Sequence, residues 1–265
     1  MDQFLRKYSY YIYSIFELLV GMENPLQVFS IFLKRPAAGV KTIRLRQNGL
    51  QFKVRGAMDI WSIKETFLDR FYERFGFVVQ PGWTVIDIGA GLGDFTIFTA
   101  RIKGTSVFAF EPFPESYGLL EQNLGLNQVQ NAQIFSEAVG GSDGTLVLDL
   151  GGGEPLQFQS RSTTITGQES QMAVGARSLS SIINQLKLES CDLLKLDCEG
   201  AEYDILLNAP PVVLSKIRRI VMEYHDQITK FTHQDLVEFL REKGFSVEIY
   251  ANPVHGNIGY LRAAR

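Results

Sequence analysis

The sequence predicts an α/β fold, in which a mostly parallel, seven-stranded sheet carries helices on both faces and follows an N-terminal extension. Three observations support this fold class. Apolar runs alternate with segments of helical period from Trp83 onwards, Pro81-Gly82 breaks the chain just before, and an Asn48-Gly49 turn precedes the break. Alternating strands and helices are typical of parallel sheets, because a helix usually connects two parallel strands. We therefore divide the chain into an extension, residues 1–80, and a main domain, residues 81–265. The extension is expected to be a lid, an oligomer contact or a membrane-contact element.

The composition is that of a globular protein, with 45% hydrophobic residues, 21% charged residues and a formal net charge of −3 over 265 residues. A chain of this charge has no overall positive field to attract phosphate backbones, so we expect no nucleic-acid partner. Cys191 and Cys198 fall in one predicted strand, which would hold them too far apart to pair. A chain without disulfides fits a reducing compartment, and we expect it to be cytoplasmic.

The first 33 residues are aromatic and apolar, but Glu17 and Glu23 interrupt them before about 20 apolar residues accumulate. We therefore expect no transmembrane helix. A cluster of cations follows: Lys34, Arg35, Lys41, Arg44 and Arg46. Two interpretations of this segment stay open. It is an interfacial helix that contacts an anionic membrane, or a helix that packs on the domain or on a second subunit of a homo-oligomer.

The extension continues with a predicted hairpin and a predicted helix. Residues 40–46 and 50–55 alternate between polar and apolar side chains around Asn48-Gly49. Both turn positions tolerate positive φ, which makes this dipeptide a strong hairpin signal. From Met58 to Phe75, apolar residues recur at helical spacing and predict one helix.

The main domain is predicted to alternate strands and helices. Strands are expected at residues 83–88, 106–110, 132–138, 191–197, 217–224 and 245–250. Helices are expected at residues 94–102, 114–126, 179–188, 202–207 and 233–243. The last apolar run, residues 258–262, is expected to return antiparallel and complete the sheet. This arrangement is a Rossmann-like, doubly wound sheet.

The alternation breaks between Gly140 and Arg177, where the sequence is rich in Gly, Ser, Thr and Gln and includes Gly151-Gly152-Gly153 and residues 160–164. We call residues 140–178 the insertion. One interpretation is a surface hairpin and loop. The other is a segment that carries the substrate side of a site, because binding residues are common on loops of such sheets.

A glycine-rich turn follows the first strand of the main domain. That strand ends at Asp87, and Gly89-Ala90-Gly91-Leu92-Gly93 leads into a helix that starts with Asp94 and Thr96. Glycines let a ligand approach the backbone, and a helix N-terminus offers free N–H groups to an anionic group. A dinucleotide fingerprint would need glycine at position 94, and the Asp87 carboxylate would repel a diphosphate. The same carboxylate would attract a cationic sulfonium, which favours S-adenosylmethionine (SAM).

A second carboxylate, Glu111, comes with Pro112 at the end of the next strand, where such a group holds ribose hydroxyls. Two acidic residues at consecutive strand ends, on either side of a glycine turn, strengthen the prediction of a SAM site. The residues predicted to bind SAM are Asp87, Gly89, Ala90, Gly91, Gly93, Asp94, Thr96, Glu111, Pro112, Glu137, Ala138 and Asp197.

Ionisable residues also end the strand predicted at 191–197. Lys195, Asp197 and Glu199 share a face if the strand persists that far. One interpretation is a Lys195–Asp197 ion pair, with Glu199 and Glu202 at the start of the next helix. The other makes Lys195 and Asp197 catalytic, because such sheets place reacting groups at this edge.

Glu223 and His225 share a face at the end of the following strand. An imidazole titrates near neutral pH, so His225 is a candidate base that removes a proton from an acceptor hydroxyl. Asp197, Glu223 and His225 are alternatively the ligands of a divalent metal ion. A structural role for His225 is the third interpretation. His233 and His255 are interpreted as surface residues.

Three segments of the sequence resemble the FkbM-type methyltransferases of the class I SAM-dependent superfamily. They are Asp87–Gly93, Glu111–Pro114 with Leu120 and Asn123–Asn127 behind it, and Lys195–Glu202. The resemblance extends over about residues 82–245. That family more often has asparagine where Gly91 stands, and glycine is closer to the general superfamily pattern. The resemblance implies methyl transfer from SAM to a hydroxyl of a small-molecule or carbohydrate-like acceptor.

Two other classes of function stay open. A non-catalytic SAM-binding module would bind the ligand without transferring its methyl group. A nicotinamide-dependent oxidoreductase is disfavoured by Asp87 and Asp94, and a titration followed by NADH fluorescence would test it.

Overall fold

A computed structural model describes residues 3–33, 39–74, 76–151, 159–161, 171–252 and 254–265. Lys34 and Arg35 of the cation cluster and Phe75 of the predicted helix lie outside the described residues, and so do residues 152–158 and 162–170 of the insertion. Within the described part of the chain, no helix combines the length and the apolar character needed to cross a membrane. Cys191 and Cys198 are free thiols, as predicted.

The extension consists of helices and one hairpin. Its elements are α1 (Gln3–Gly21), α2 (Pro25–Leu33), β1 (Lys41–Arg44), β2 (Gln51–Val54), α3 (Ala57–Phe67) and α4 (Phe71–Arg74). The predicted hairpin is confirmed, because β1 and β2 pair antiparallel and Gly49 has φ +70°. The single helix predicted from Met58 to Phe75 is wrong. Arg70 has a left-handed φ of 51°, which a right-handed helix does not accommodate, and this separates α3 from α4.

Two asparagines of the main domain hold the hairpin. Asn123 accepts a hydrogen bond from Lys53 N (2.7 Å) and donates one to Lys53 O (3.2 Å). Asn127 does the same for Gln51 N (3.0 Å) and Gln51 O (2.7 Å). These amides satisfy backbone groups that an edge strand would leave unpaired, so the extension is docked on the main domain.

The elements of the main domain include the predicted strands and helices in the predicted order, together with additional strands and one short helix. They are β3 (Thr84–Ile88), α5 (Asp94–Ala100), β4 (Ser106–Phe110), α6 (Pro114–Leu126), β5 (Ala132–Phe135), β6 (Ala138–Gly140), β7 (Gly144–Asp149), β8 (Gln159–Arg161), β9 (Gln171–Ser178), α7 (Leu179–Gln185), β10 (Leu193–Leu196), α8 (Glu202–Leu207), α9 (Pro211–Leu214), β11 (Arg219–His225), α10 (His233–Glu242), β12 (Ser246–Ala251) and β13 (Ile258–Ala264).

The seven-stranded sheet has the order β12-β13-β11-β10-β3-β4-β5. Strand β13 runs antiparallel to β11 and β12, while β11, β10, β3, β4 and β5 pair in parallel. Side chains alternate between two cores, so that Ile86 packs with residues of α7 to α10 and Val85 packs with Phe95 of α5. Both faces are therefore covered by helices, and the predicted doubly wound, mostly parallel sheet is confirmed.

The single strand predicted at residues 132–138 is wrong. Strand β5 ends at Phe135, and β6 starts a second sheet with the order β6-β9-β7-β8. The long strands β7 and β9 of this sheet form an antiparallel pair within the insertion, which agrees with the predicted hairpin. The described part of the insertion is thus a small sheet beside the main one.

Candidate active site

A cavity of about 1000 Å³ lies where β3, β4, β10 and β11 end at the carboxyl edge of the sheet. Its lining contains most of the predicted site residues: Gly89, Ala90, Gly91, Asp94, Glu111, Pro112, Ala138, Lys195, Asp197, Glu223 and His225. Aromatic and apolar residues of α1, α2 and α3 form another part of its lining. The extension and the main domain therefore enclose one cavity.

The glycine turn is fixed by the packing of the protein itself. Gly89 and Gly93 have φ values of +73° and +91°, which favour glycine. A Cβ at Gly89 would lie 1.8 Å from Asp197 O, and one at Gly93 would lie 2.4 Å from Leu120 Cδ1. These two glycines thus allow the segment after β10 and helix α6 to approach the turn. Direct contact between the turn and a ligand stays a prediction.

Glu111 connects the ends of β3 and β4. Its carboxylate accepts hydrogen bonds from Gly91 N (2.8 Å) and Phe113 N (2.9 Å). Burial raises the pKa of Glu111 to about 7, although the two backbone N–H groups oppose this shift. Glu111 is therefore a buried carboxyl group whose charge changes near neutral pH.

Asp87 lies behind the glycine turn, outside the cavity lining. Lys195 Nζ lies 3.0 Å from Asp87 Oδ1 and donates to Gly89 O at 2.7 Å. Thr96 Oγ1 donates to Asp87 Oδ2 at 2.6 Å. Burial opposes the charge on Lys195, but Asp87, Asp197 and Asp94 raise its pKa. The ion pair of Lys195 is therefore with Asp87, and the interpretation that pairs Lys195 with Asp197 is wrong.

Asp197, Glu223 and His225 converge at one point of the cavity, where one potential ligand atom of each lies within 4.8 Å of the others. Tyr72 OH donates to Asp197 Oδ2 at 2.8 Å. Burial raises the pKa of Glu223 well above its usual value, and the charge of Asp197 adds to this effect. The pattern of alternate residues in β11 correctly predicted that Glu223 and His225 share a face.

The imidazole of His225 is held between two carboxylates. Its Nδ1 lies 2.8 Å from Glu202 Oε1, and its Nε2 lies 3.4 Å from Glu199 Oε2. Burial alone would lower the pKa of His225, but Glu202, Glu199 and Glu223 raise it well above its usual value. Strand β10 ends at Leu196 and Glu199 has φ +50°, so Glu199 reaches the cavity from a turn rather than from a strand face.

The sequence offered the extension as a lid but predicted none of its individual residues at the site. Trp61 of α3 has its ring centroid 5.8 Å from that of Tyr10 and 6.0 Å from that of Tyr11, both on α1. Trp61 Nε1 donates to Glu65 Oε1 at 2.9 Å, and burial raises the pKa of Glu65 to about 8. The aromatic composition of the first 33 residues was the available signal, but local periodicity carries no information about such distant contacts.

Some predicted residues lie elsewhere. Gly93 and Thr96, like Asp87, are behind the cavity surface, and Glu137 forms an ion pair with Arg177 at 2.6 Å (Oε2 to Nε). The two histidines interpreted as surface residues differ from each other. His233 Nδ1 lies 2.6 Å from an Asp226 carboxylate oxygen, whereas His255 is exposed and lines the cavity.

Comparisons with known proteins found a family and relatives. The family model described as Methyltransferase FkbM domain matches residues 87–247, more than half of the chain. The AMB antimetabolite synthetase AmbE of Pseudomonas aeruginosa is 30% identical over 70% of this chain, which spans 10% of that protein. The 31-O-demethyl-FK506 methyltransferase FkbM of Streptomyces tacrolimicus is 27% identical over 81% of this chain and 92% of its own length. Among solved structures, Methyltransferase FkbM from Methylobacillus flagellatus aligns with a TM-score of 0.48, at 15% identity, over 78% of this chain and 54% of that chain.

Proposed function

This chain belongs to the FkbM family of methyltransferases. We propose that it transfers a methyl group from SAM to a hydroxyl of a small acceptor with an apolar body. One observation carries the proposal. The same cavity is lined by the glycine turn, by Glu111 and by the Asp197–Glu223–His225 cluster. It is also lined by an aromatic wall, which consists of Tyr10, Tyr11, Phe29, Phe32 and Trp61. The cavity is thus large enough, and varied enough in its lining, for two ligands side by side.

The residues present suit SAM. Glu111 offers carboxylate oxygens to ribose hydroxyls, and the carboxylates of Asp94 and Asp197 favour a ligand with a positive sulfonium and an amino group. When bound, SAM supplies a methyl group on a positively charged sulfur, which is already a good leaving group. No strong acid or base is needed to expel it, so positioning is the main task of the protein.

Lys195 is proposed to act through the glycine turn. Its ammonium group donates a hydrogen bond to Gly89 O and forms an ion pair with Asp87. Thr96 donates a hydrogen bond to the same Asp87 carboxylate. These three side chains therefore fix the shape of the turn. In this proposal Asp87 and Thr96 help to bind SAM by positioning the turn, and Lys195 is a positioning residue.

The Asp197–Glu223–His225 cluster is proposed to face the acceptor hydroxyl. As the oxygen bonds to the methyl carbon, its proton must leave to a nearby acceptor, and the carboxylates at this end of the cavity offer such acceptors. The covering side chains of α1 and α3 would exclude water from the reacting atoms.

The acceptor is proposed to carry an apolar part as well as the hydroxyl. Tyr10, Tyr11, Phe29, Phe32 and Trp61 line the cavity beyond the polar cluster. Aromatic surfaces bind apolar or flat ligand groups, including the faces of sugar rings, so both small-molecule and carbohydrate-like acceptors stay within the proposal. The name of the Streptomyces relative states an O-demethyl substrate for that protein, which agrees with transfer to oxygen.

Isotope transfer would test this function. The purified chain is incubated with SAM labelled in its methyl group and with pairs of apolar acceptors that have either a free or a blocked hydroxyl. We expect label in the free-hydroxyl member of a pair only. SAM binding by calorimetry without transfer to any acceptor would instead support the non-catalytic module, and binding of NADH would support the oxidoreductase.

A further inference from the structure

We propose that Asp197, Glu223 and His225 bind a divalent metal ion that holds the hydroxyl oxygen of the acceptor. The proposed binding is a property of the chain alone. Only its use in methyl transfer rests on the proposed function, so the two are tested separately.

The positions of the three side chains follow from the sheet. Leu196 pairs with Met222 across β10 and β11, so Asp197 leaves β10 beside Glu223, and alternation brings His225 to the same side. Their ligand atoms lie within 4.8 Å of one another. Atoms bound to one ion at about 2.1 Å can be at most about 4.2 Å apart, so small torsional adjustments would close the site.

The partner of His225 is a second, independent observation. Glu202 is fully buried, and its Oε2 accepts a hydrogen bond from Gly200 N at 2.8 Å. Its other oxygen, Oε1, lies 2.8 Å from His225 Nδ1. A histidine that binds a metal usually donates its other ring N–H to a carboxylate, which fixes the ring and makes the free nitrogen a better ligand. When an ion displaces the Nε2 proton, Nδ1–H still donates to Glu202, and the lone pair of Nε2 is directed to the other side of the ring.

The two carboxylates are held in the same way. Tyr72 OH donates to one oxygen of Asp197, at 2.8 Å, and Glu223 is hydrogen-bonded to Tyr260. Each of the three candidate ligands therefore has one neighbour that orients it. Such support is expected around a metal ion, because it reduces the reorganisation that binding requires.

Two carboxylates and one imidazole form a mixed oxygen and nitrogen set that suits Mn²⁺ and its neighbours in the first transition row. Three protein ligands leave coordination positions open, as in metal sites that bind substrate. Asp197, Glu223 and His225 line the same cavity as the glycine turn, so an acceptor bound to the ion would lie close to the SAM site.

The ion would make the acceptor hydroxyl more acidic. In the transfer step the carbon–oxygen bond forms, the carbon–sulfur bond breaks with its electron pair going to sulfur, and the hydroxyl proton leaves. Glu199, whose Oε2 lies 3.4 Å from His225 Nε2, is a carboxylate beside the ligand set that can accept this proton. Under this proposal His225 is a metal ligand and not the base.

The binding test uses the full chain and Mn²⁺ alone. Electron paramagnetic resonance measures free Mn²⁺ during a titration without SAM, and we expect one ion bound per chain. H225N and D197N should each weaken binding by more than about tenfold, and E202Q, which acts through His225, by about 10- to 100-fold. The matched control is H233Q, because His233 also has a carboxylate partner but lies outside the cluster. It should bind Mn²⁺ like the wild type.

Circular dichroism of each variant distinguishes loss of a metal ligand from loss of folding. D197N keeps the size of the side chain and repeats the test at a second position. Absence of Mn²⁺ binding by the wild type, or equal affinity in folded H225N, D197N and H233Q, would overturn the metal site. If Mn²⁺ binds but chelation leaves methyl transfer unchanged, the role of the ion in holding the acceptor is overturned. If Mn²⁺ binds but calorimetry detects no SAM, the site stands and the proposed function fails.

Discussion

Two carboxylates at the ends of neighbouring strands, Asp87 and Glu111, have different environments at this site. Asp87 is neutralised by Lys195 and lies behind the turn, whereas Glu111 accepts two backbone N–H groups and reaches the cavity. The difference arises because the β3 residue faces the neighbouring β10 strand, where Lys195 pairs with it in register. Their spacing in the sequence does not reveal these different surroundings.

Substitution of Glu111 is expected to weaken SAM binding. E111Q keeps the shape but removes the charge, and hydrogen bonds to charged groups contribute about 1.5–3 kcal/mol, so we expect about 10- to 100-fold weaker binding by calorimetry. E137Q is the matched control, because Glu137 pairs with Arg177 outside the cavity lining. Equal losses in both variants would contradict the assignment of Glu111.

The same residue predicts a pH dependence. Burial raises the pKa of Glu111 to about 7, so the carboxylate that accepts ribose hydroxyls is present above this pH and is protonated below it. SAM affinity of the wild type should therefore decrease as the pH falls from 8 to 6. E111Q should lose this part of the dependence, and a wild-type affinity that increases on acidification would contradict the sign.

Substitution of Gly89 is expected to destabilise the fold and displace Asp197. In G89A the new Cβ would lie 1.8 Å from Asp197 O, at a backbone φ of +73°. A side chain in left-handed backbone is strained, and the added methyl group also overpacks the turn. We therefore expect a loss of about 3 kcal/mol in the free energy of unfolding, measured by denaturant titration. G175A is the control, because nothing lies within 4 Å of a Cβ at Gly175. Similar stability of the two variants would be the contrary result.

At the scale of elements, a buried lysine connects α1 to α3. Lys64 Nζ of α3 lies 2.9 Å from Glu17 Oε2 of α1 and 2.7 Å from Asp69 Oδ2. This ion pair holds α1 beside α3, and side chains of α1 such as Tyr10 and Leu18 line the cavity. Elsewhere on α1, Ile12 and Phe16 are 69% and 61% exposed. Membrane contact and homo-oligomer formation through this helix stay predictions.

Removal of the Lys64 charge is expected to loosen α1. K64M leaves Glu17 and Asp69 without their shared cation, and breaking such a buried pair costs about 3–5 kcal/mol in the free energy of unfolding. K53M provides the control, since Lys53 bonds to Gln122 at an exposed position. Thermal unfolding and proteolysis of the N-terminal segment measure the effect, and K64M as stable as K53M would refute it.

At the scale of the whole molecule, the cavity depends on both the extension and the main domain. The sheet supplies the polar groups, and α1 to α3 supply the aromatic wall. The boundary near residue 80 stays a prediction, but Asn123 and Asn127 bind the extension to the main domain through four hydrogen bonds. Ligands that contact both parts should therefore stabilise the whole chain.

S-adenosylhomocysteine should raise the unfolding temperature of the chain, and NADH should not. A ligand at 100 times its Kd stabilises the native state by about 2.7 kcal/mol, which corresponds to an increase of about 5 °C or more for a protein of this size. Scanning fluorimetry with both ligands measures this difference. A larger shift with NADH would favour the nicotinamide-dependent alternative.

The sequence alone determined the order of elements and much of the polar edge of the sheet. Strand and helix periods are local properties, so they located β3, the glycine turn and the alternate residues Glu223 and His225. The same local reasoning predicted one strand in place of β5 and β6 and one helix in place of α3 and α4. It does not detect where tertiary contacts end an element.

The tertiary structure alone decided which groups meet. It paired Lys195 with Asp87, placed Glu202 behind His225, and brought Tyr10 and Trp61 to the cavity. These contacts join residues on different elements, and burial then determines their protonation through desolvation and neighbouring charges. Neither effect has a local period, so the chemistry of the site depends on the fold as much as on its motifs.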